Sequence, residues 1–167
     1  MSSPFTSSRV SMKIALLPRD TSNPMGAVQE QLNNMLLKYN ENLNGVPVAF
    51  SDLHFPKGKD SGRIISDSYW IHVDVMTSIV TFRPNVGTRL SGKITKLTDG
   101  HVSLLIYGMF NASISGEEMK RKYTYNYGTS SWQSEQGDLL DGDQIDFEVV
   151  SLLHAKGVLN IAGKLCD

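Results

Sequence analysis

Residues 86–165 constrain the fold most strongly, because they contain five short runs in which apolar and polar side chains alternate. The runs are Val86–Leu97, His101–Tyr107, Phe110–Ile114, Asp143–Leu152 and Val158–Leu165. Turns that contain Gly or Asp separate the first three runs, at residues 98–100 and at Gly108. A helical candidate lies between the third and fourth runs. Five short strands with one intervening element favour a small Greek-key barrel of the OB type.

The alternation also predicts which side of each strand faces the core. In the fourth run Ile145, Phe147 and Val149 share one face, while charged and amide side chains occupy the other. Successive side chains of a strand point to opposite faces, so this pattern is typical of a sheet with one wet side. The first run follows the same rule, with Leu90 and Ile94 on one face.

The first half of the chain predicts a small α+β unit. Asn23 or Ser22 can cap a helix that has Pro24 at its first position. An apolar stripe at helical spacing extends this helix to a stop at Asn44-Gly45; it consists of Val28, Leu32, Met35, Leu36, Tyr39 and Leu43. Strands are predicted around the helix at Arg9–Leu17, Gly45–Phe55, Arg63–Ile65, Trp70–Val75 and Met76–Phe82.

These patterns divide the chain into consecutive parts. Residues 1–8 are predicted as a disordered lead, residues 9–84 as an N-terminal α+β tip domain, and residues 85–167 as the barrel. Within the barrel, residues 115–142 are predicted as an insertion rich in aromatic side chains. Ser115 is positioned to cap a short helix at the start of this insertion.

Composition excludes several classes of protein. No apolar run approaches the roughly 18 residues that span a bilayer, so no membrane partner is predicted. The single cysteine, Cys166, cannot form an internal disulfide, which favours a reducing compartment. Residues 1–85 carry a net charge of +1 and residues 86–167 a net charge of −2. Neither half is a strongly basic nucleic-acid-binding domain.

No catalytic, metal or cofactor motif stands out. The acidic stretch Asp138–Asp146 lacks the alternating carboxylates and the final Glu of a calcium loop, so a turn explains it better. None of the four histidines has a partner at metal-ligand spacing. Nucleophile elbows and phosphate-binding glycine loops are missing as well. We therefore predict no enzyme, no cofactor and no metal.

The best functional candidate is a cluster of aromatic and basic side chains on or near the barrel. Its members are Lys93, Tyr107, Phe110, Lys120, Arg121, Lys122, Tyr123, Tyr125, Tyr127 and Trp132. Barrels of this type bind single strands by stacking bases on aromatic rings while cations follow the phosphates. The alternatives are a protein interface, or aromatic side chains that simply fill the core. Within the cluster we select Lys93, Tyr107, Phe110, Tyr125 and Trp132 as the candidate partner or RNA surface.

The order of these parts resembles the larger stalk subunit of DNA-directed RNA polymerases. In that family a Phe-x-Pro-x-x-Gly segment precedes the first barrel strand, as Phe82-Arg83-Pro84-Asn85-Val86-Gly87 does in this chain. The helix segment Leu32–Tyr39, followed by Leu43–Val46, is similar to the family's first domain. The run Phe110–Ile114 with its polar aromatic insertion looks most like the RNA polymerase I version. The resemblance covers residues 9–165.

The resemblance implies a fold and a set of partners. The fold is a small N-terminal α+β domain of truncated RNP-like type followed by a five-stranded OB-type β-barrel. The implied function is that of a non-catalytic stalk subunit in the nucleus and nucleolus, acting in ribosomal RNA transcription. Its partners would be the polymerase core, a smaller stalk subunit in a heterodimer, the polymerase I-specific initiation factor and, as an additional contact, nascent RNA.

Within this reading, the loop that contains Lys57, Gly58, Lys59 and Gly62 is the candidate contact with the polymerase core, above the turn at Gly45 and Val46. Three alternatives stay open. The chain is a stand-alone single-stranded RNA-binding barrel, the equivalent stalk subunit of RNA polymerase II or III, or an uncharacterised hydrolase for which the sequence supplies no catalytic residue.

Overall fold

The computed structural model describes residues 3–58 and 61–167. The chain divides into two compact units, one formed by Phe5–Arg83 and the other containing Pro84–Asp167. Within the described ranges, no helix has both the length and the apolar character needed to cross a bilayer. The two units are described separately.

The first unit is an antiparallel sheet with one helix. The strands are β1 (Phe5–Leu16), β2 (Val46–His54), β3 (Arg63–Ile64) and β4 (Ile71–Phe82), and the helix is α1 (Pro24–Met35). Strand β4 is central, with β1 on one side and β2 on the other, and β3 pairs with the beginning of β4. The sequence divided β4 into two runs, whereas the structure has one continuous strand of 12 residues.

One face of this sheet and the inner side of α1 form the core of the unit. Val28 and Leu32 of the helix are buried in one cluster with Leu16, Val73 and Val75 of the sheet. The strand residues alternate along β1 and β4, so the same face carries the apolar side chains in both strands. The opposite face of β1 is exposed and polar.

Helix α1 begins where the sequence predicted and ends earlier. Asn23 is the cap: its Oδ1 accepts a hydrogen bond from the Gly26 amide at 3.1 Å. The helix stops at Met35, whereas the apolar stripe predicted that it continues to Leu43. Leu37 adopts a left-handed conformation with φ of 62° and donates its amide hydrogen to the Pro47 carbonyl at 2.8 Å. A tertiary contact with β2 thus replaces the next helical turn.

The prediction of a disordered lead over residues 1–8 needs correction. Strand β1 begins at Phe5 and pairs with β4 from its first residue, where Phe5 lies opposite Phe82. Their rings are 5.3 Å apart between centroids. Residues 5–8 look like a polar lead in the sequence because their pairing partner lies more than 70 residues away.

The second unit is a closed five-stranded barrel, which confirms the OB-type prediction. Its strands are β5 (Arg89–Leu97), β6 (His101–Ile106), β7 (Phe110–Ser115), β11 (Gln144–Ala155) and β12 (Val158–Leu165). Neighbouring strands are antiparallel except for β7 and β12, which are parallel. The antiparallel pair of β5 and β11 closes the barrel. The side chains predicted to face inward, including Leu90, Ile94 and Phe147, are buried.

The insertion between β7 and β11 contains more structure than the sequence indicated. The short helix α2 (Gly116–Met119) follows Ser115, whose hydroxyl accepts a hydrogen bond from the Glu118 amide as predicted. Three short strands then form a separate sheet in the order β10-β9-β8; they are β8 (Thr124–Asn126), β9 (Ser131–Ser134) and β10 (Gly137–Leu139).

A substitution at Gly163 can test how tightly the barrel core is packed. A Cβ atom at this position would overlap the ring of Phe147, which is fully buried. We expect Gly163→Ala to lower the free energy of unfolding by about 1–3 kcal/mol, the usual cost of overpacking. Gly100→Ala is the matched control, because a Cβ at Gly100 has no atom within 4 Å. Urea unfolding of both variants measures the difference, and equal stabilities would contradict the packing argument.

A substitution at Asn23 can test whether its side chain stabilises the first turn of α1. Asn23→Ala removes the side chain that accepts from Gly26, leaving a backbone donor of the first turn without its cap. We expect a loss of about 1 kcal/mol in the free energy of unfolding. Asn34→Ala, at an exposed position inside the same helix, is the control and should change stability little. A loss of equal size in the two variants would exclude capping as the cause.

Candidate functional site

The structure divides the five residues selected as a partner or RNA surface into three groups. Lys93 and Tyr107 are exposed, and Tyr125 is half-buried. Phe110 and Trp132 are buried, with exposed fractions of 4% and 0%, so neither presents its ring to a partner. These two residues are therefore corrected from surface positions to core positions, which was the alternative that the sequence left open.

The two buried rings are held in place for different reasons. Phe110 is the first residue of β7 and lies on the inward-facing side of the strand's alternation, together with Ala112 and Ile114. Trp132 lies in β9 of the insertion, and its indole Nε1–H donates a hydrogen bond to the Thr98 carbonyl at 3.0 Å. The ring thus contributes buried apolar area, and its single polar group is satisfied by the barrel.

Three aromatic side chains of the insertion pack against one another. The ring of Tyr125 lies 5.2 Å from the ring of Trp132 and 5.0 Å from that of Tyr127, edge-on in both pairs. Edge-on pairs at this spacing are favourable because the positive ring edge meets the negative ring face. We call Tyr125, Tyr127 and Trp132 the aromatic brace.

The aromatic brace is attached to the turn that joins β5 and β6. The Tyr127 hydroxyl donates a hydrogen bond to Oδ2 of Asp99 at 3.0 Å. Asp99 directly follows Thr98, whose carbonyl accepts the hydrogen bond from Trp132. The Gly116 amide donates to the Gly100 carbonyl at 2.7 Å. Thr98 reinforces the turn, because its hydroxyl donates to the His101 carbonyl at 2.7 Å. The insertion therefore contacts every residue of the turn at 98–100.

The electrostatics of this region do not favour a polyanion. The hydrogen bond to Asp99, and then the negative charge of that carboxylate, raise the pKa of the Tyr127 phenol. Tyr127 is the most exposed ring of the brace, at 75%, and it stands beside a carboxylate. A base stacked on this ring would bring its phosphate close to a negative charge.

The basic residues of the cluster are partly engaged within the protein. Arg121 lies 3.1 Å from Glu118 and 3.8 Å from Asp167. Lys122 donates from Nζ to the Cys166 carbonyl at 2.5 Å. These contacts direct two of the three consecutive cations toward the protein's own acceptors, so they do not form a simple basic track beside the aromatic rings.

The exposed part of the predicted surface lies at the turn between β6 and β7. Tyr107 is 54% exposed and adopts a left-handed conformation with φ of 51°. Met109, which the sequence analysis did not select, is 46% exposed two residues further on. Tyrosine and methionine are enriched in protein interfaces. Two exposed side chains of this kind on one tight turn suit contact with a protein.

The second predicted contact is the loop after β2. Lys57, Gly58 and Gly62 are exposed, and Gly58 has the positive φ of 74° that favours glycine. Lys59 lies outside the described residues. Gly45, in the turn before β2, and Val46, the first residue of β2, are buried.

The same unit carries an exposed apolar segment that the sequence analysis missed. Ile64, Ile65 and Tyr69 are more than half exposed, and the ring of Tyr69 stacks on that of Trp70 at 5.4 Å. The signal in the sequence is the concentration of large apolar residues in Ile64–Trp70 without a period of two or 3.6. Such a group of exposed aromatic and aliphatic side chains marks a contact surface more often than a solvated loop.

Metal-binding chemistry finds no support in residues 3–58 and 61–167. Nowhere in these ranges do three His, Cys, Asp or Glu side chains come close enough together to hold an ion.

Comparison with known proteins identifies the relatives of this chain. The profile of a family described as the "RPA43 OB domain in RNA Pol I" matches residues 84–136, which include β5, β6, β7 and most of the insertion. The zebrafish (Danio rerio) protein named DNA-directed RNA polymerase I subunit RPA43 is 40% identical over 153 residues. The human protein of the same name is 35% identical over the same length. The Schizosaccharomyces pombe rpa43 subunit is 26% identical over 164 residues.

The share of each chain that is covered differs among these relatives. Each vertebrate alignment covers 91% of this chain but only 36% of the zebrafish protein and 42% of the human one. The chain therefore spans less than half the length of these relatives. The fission yeast alignment covers 95% of this chain and 94% of its relative. These matches confirm the resemblance predicted from the sequence: residues 84–136 match the family of the RPA43 OB domain in RNA Pol I, and 91% of the chain is similar to proteins named as RPA43 subunits of RNA polymerase I.

Proposed function

We propose that this chain acts as a non-catalytic stalk subunit of RNA polymerase I in ribosomal RNA transcription. The observation that carries the proposal is the match of 91% of the chain to proteins named as RPA43 subunits of that polymerase. The structure adds a barrel whose aromatic insertion is built into the fold and whose exposed side chains suit protein contacts. The chain would work in the nucleus, and specifically in the nucleolus.

The two units would divide the work of such a subunit. In this proposal residues 9–84 form the tip domain, of truncated RNP-like type, and residues 85–167 form the outward barrel. The tip domain would contact the polymerase core through the loop that contains Lys57, Gly58 and Gly62, and would pair with a smaller stalk subunit. The exposed segment at residues 64–70 follows that loop and would extend the same contact.

The barrel would serve recruitment of the polymerase I-specific initiation factor. Tyr107 and Met109 supply exposed interface side chains on one turn, and Lys93 is exposed on β5. Contact with nascent RNA is the less favoured role, because Phe110 and Trp132 are buried and Asp99 stands beside Tyr127. Any RNA contact would have to use the remaining exposed cations and would weaken with salt.

Affinity purification of the native protein at moderate salt tests the proposal. We expect the large RNA polymerase I subunits and one small partner to co-purify, since a stalk subunit is bound to the enzyme. Recovery of the subunits of polymerase II or III instead would assign the chain to another polymerase. Recovery of the chain alone, or with RNA only, would overturn the proposal in favour of a free RNA-binding barrel.

Tyr107→Ala tests the role of the turn between β6 and β7 in recruitment. Truncating an interface anchor costs about 2 kcal/mol of binding free energy, which corresponds to about a 30-fold weaker affinity for the initiation factor. Isothermal titration with the purified polymerase measures this change. Leu140→Ala, which truncates an equally exposed apolar side chain at another turn, is the matched control. Equal affinities for the two variants would exclude this turn from the interface.

A further inference from the structure

The outer edge of strand β1 stands apart from the other edges of the N-terminal sheet. Among the described residues, β1 pairs only with β4, along all twelve of its residues and without a change of register. It contains no proline and no bulge. A long, regular edge strand of this kind presents unpaired backbone groups that another strand can bind.

The edge on the other side of the sheet is protected. Strand β2 contains Pro47, and its pairing with β4 shifts register at two places. The Leu37 amide donates to the Pro47 carbonyl from outside the strand. Proline, bulges and covering segments are the usual devices that prevent unwanted strand pairing. They are concentrated on β2, whereas β1 has none of the three over residues 6–14.

One hydrogen bond shows which residues of β1 face outward. Gln31 of α1 donates from Nε2 to the Ala15 carbonyl at 2.8 Å, so the backbone of Ala15 points away from β4. Alternate residues of a strand direct their N–H and C=O groups to the same edge. The residues that share the direction of Ala15, and whose side chains are exposed, are Ser7, Arg9, Ser11 and Lys13. Four consecutive outward positions can therefore pair with an incoming strand.

We propose that the outer edge of β1 binds an extended segment of another protein by strand addition, with acidic side chains on the face shared by Arg9 and Lys13. Both charged residues among the four outward positions are positive. Asp52 lies 3.7 Å from Arg9, but both side chains of this ion pair are about two-thirds exposed, and exposed pairs contribute little, so Arg9 stays accessible to a partner. Asp74 is opposite Lys13 in the register of β4. On the other face of the strand Val10, Met12 and Ile14 are partly buried, so the added segment would alternate acidic and apolar residues.

Charge argues against a second copy of this chain as the occupant. Two β1 edges paired antiparallel about Ser11 would place Arg9 of one copy opposite Lys13 of the other. Like charges directly opposite each other across two strands are destabilising. An acidic partner removes this repulsion and replaces it with attraction. The inference concerns the edge alone and does not depend on the proposed role in the polymerase.

Two nine-residue peptides test the proposal with the full chain. One alternates Glu and Val, and the other alternates Lys and Val. We expect the Glu/Val peptide to bind at least tenfold more tightly by fluorescence anisotropy. It should also shift the backbone amide NMR signals of Ser7, Arg9, Ser11 and Lys13. Failure of both peptides to bind, shifts confined to other residues, or self-association of the chain through β1 would each overturn the proposal.

Two substitutions at Ser11 separate the role of its backbone N–H from that of its side chain. Ser11→Pro removes one outward N–H without touching the ladder to β4, so binding of the Glu/Val peptide should weaken at least tenfold. Ser11→Ala loses only the hydroxyl and should bind as the parent does. A second variant, Arg9→Glu with Lys13→Glu, keeps every N–H and should prefer the Lys/Val peptide. Unchanged binding by Ser11→Pro at an unchanged melting temperature, or unchanged preference after charge reversal, would contradict strand addition.

Discussion

Closure of the barrel is the constraint on which the second unit depends. Strand β11 must return to pair with β5 after an interval in which the whole insertion is formed, and β12 must run parallel to β7. Closure removes the free edges of the sheet, which would otherwise expose backbone donors and acceptors. It also brings Gly163 and Phe147 into contact, where only a residue without a Cβ leaves room for the ring. The packing of the core and the pairing of the strands are therefore two aspects of one arrangement.

The insertion uses its aromatic residues to stabilise the barrel. Trp132 buries its ring and satisfies its N–H on the Thr98 carbonyl, and Tyr127 reaches Asp99 in the same turn. In barrels of this class the loop between the first two strands is a common place for ligands to bind. Here that loop is held by the protein's own side chains. Exposed apolar side chains that could contact a partner include Tyr107 and Met109 at one turn of the barrel and Ile64, Ile65 and Tyr69 in the N-terminal unit.

The N-terminal unit shows how one sheet can have two unlike edges. Strand β2 is interrupted by Pro47 and changes of register, and β1 is regular over its full length. The short lead of Ser and Thr residues at the start of β1 is ordered because each residue pairs with β4. An edge that is both long and unprotected is a liability in a free protein, and it is a binding site when a matching strand is available.

The barrel and the resemblance to the larger stalk subunit of RNA polymerases can both be predicted from the sequence. The period of two along Leu90–Ile94 and Ile145–Val149 predicts the inward side chains, because a strand in a sheet with one wet side must separate apolar from polar residues. The cap at Asn23 is equally local. The end of α1 depends on a tertiary contact, since the Leu37 amide donates a hydrogen bond to the Pro47 carbonyl in β2. The exposure of the aromatic residues also depends on tertiary contacts: Tyr107 follows the apolar run Leu104–Ile106 and is nevertheless exposed, whereas Trp132 stands between polar residues and is nevertheless buried. The burial of Trp132 depends on a contact with Thr98, which is 34 residues away in the chain, and no periodic pattern around Trp132 predicts that contact.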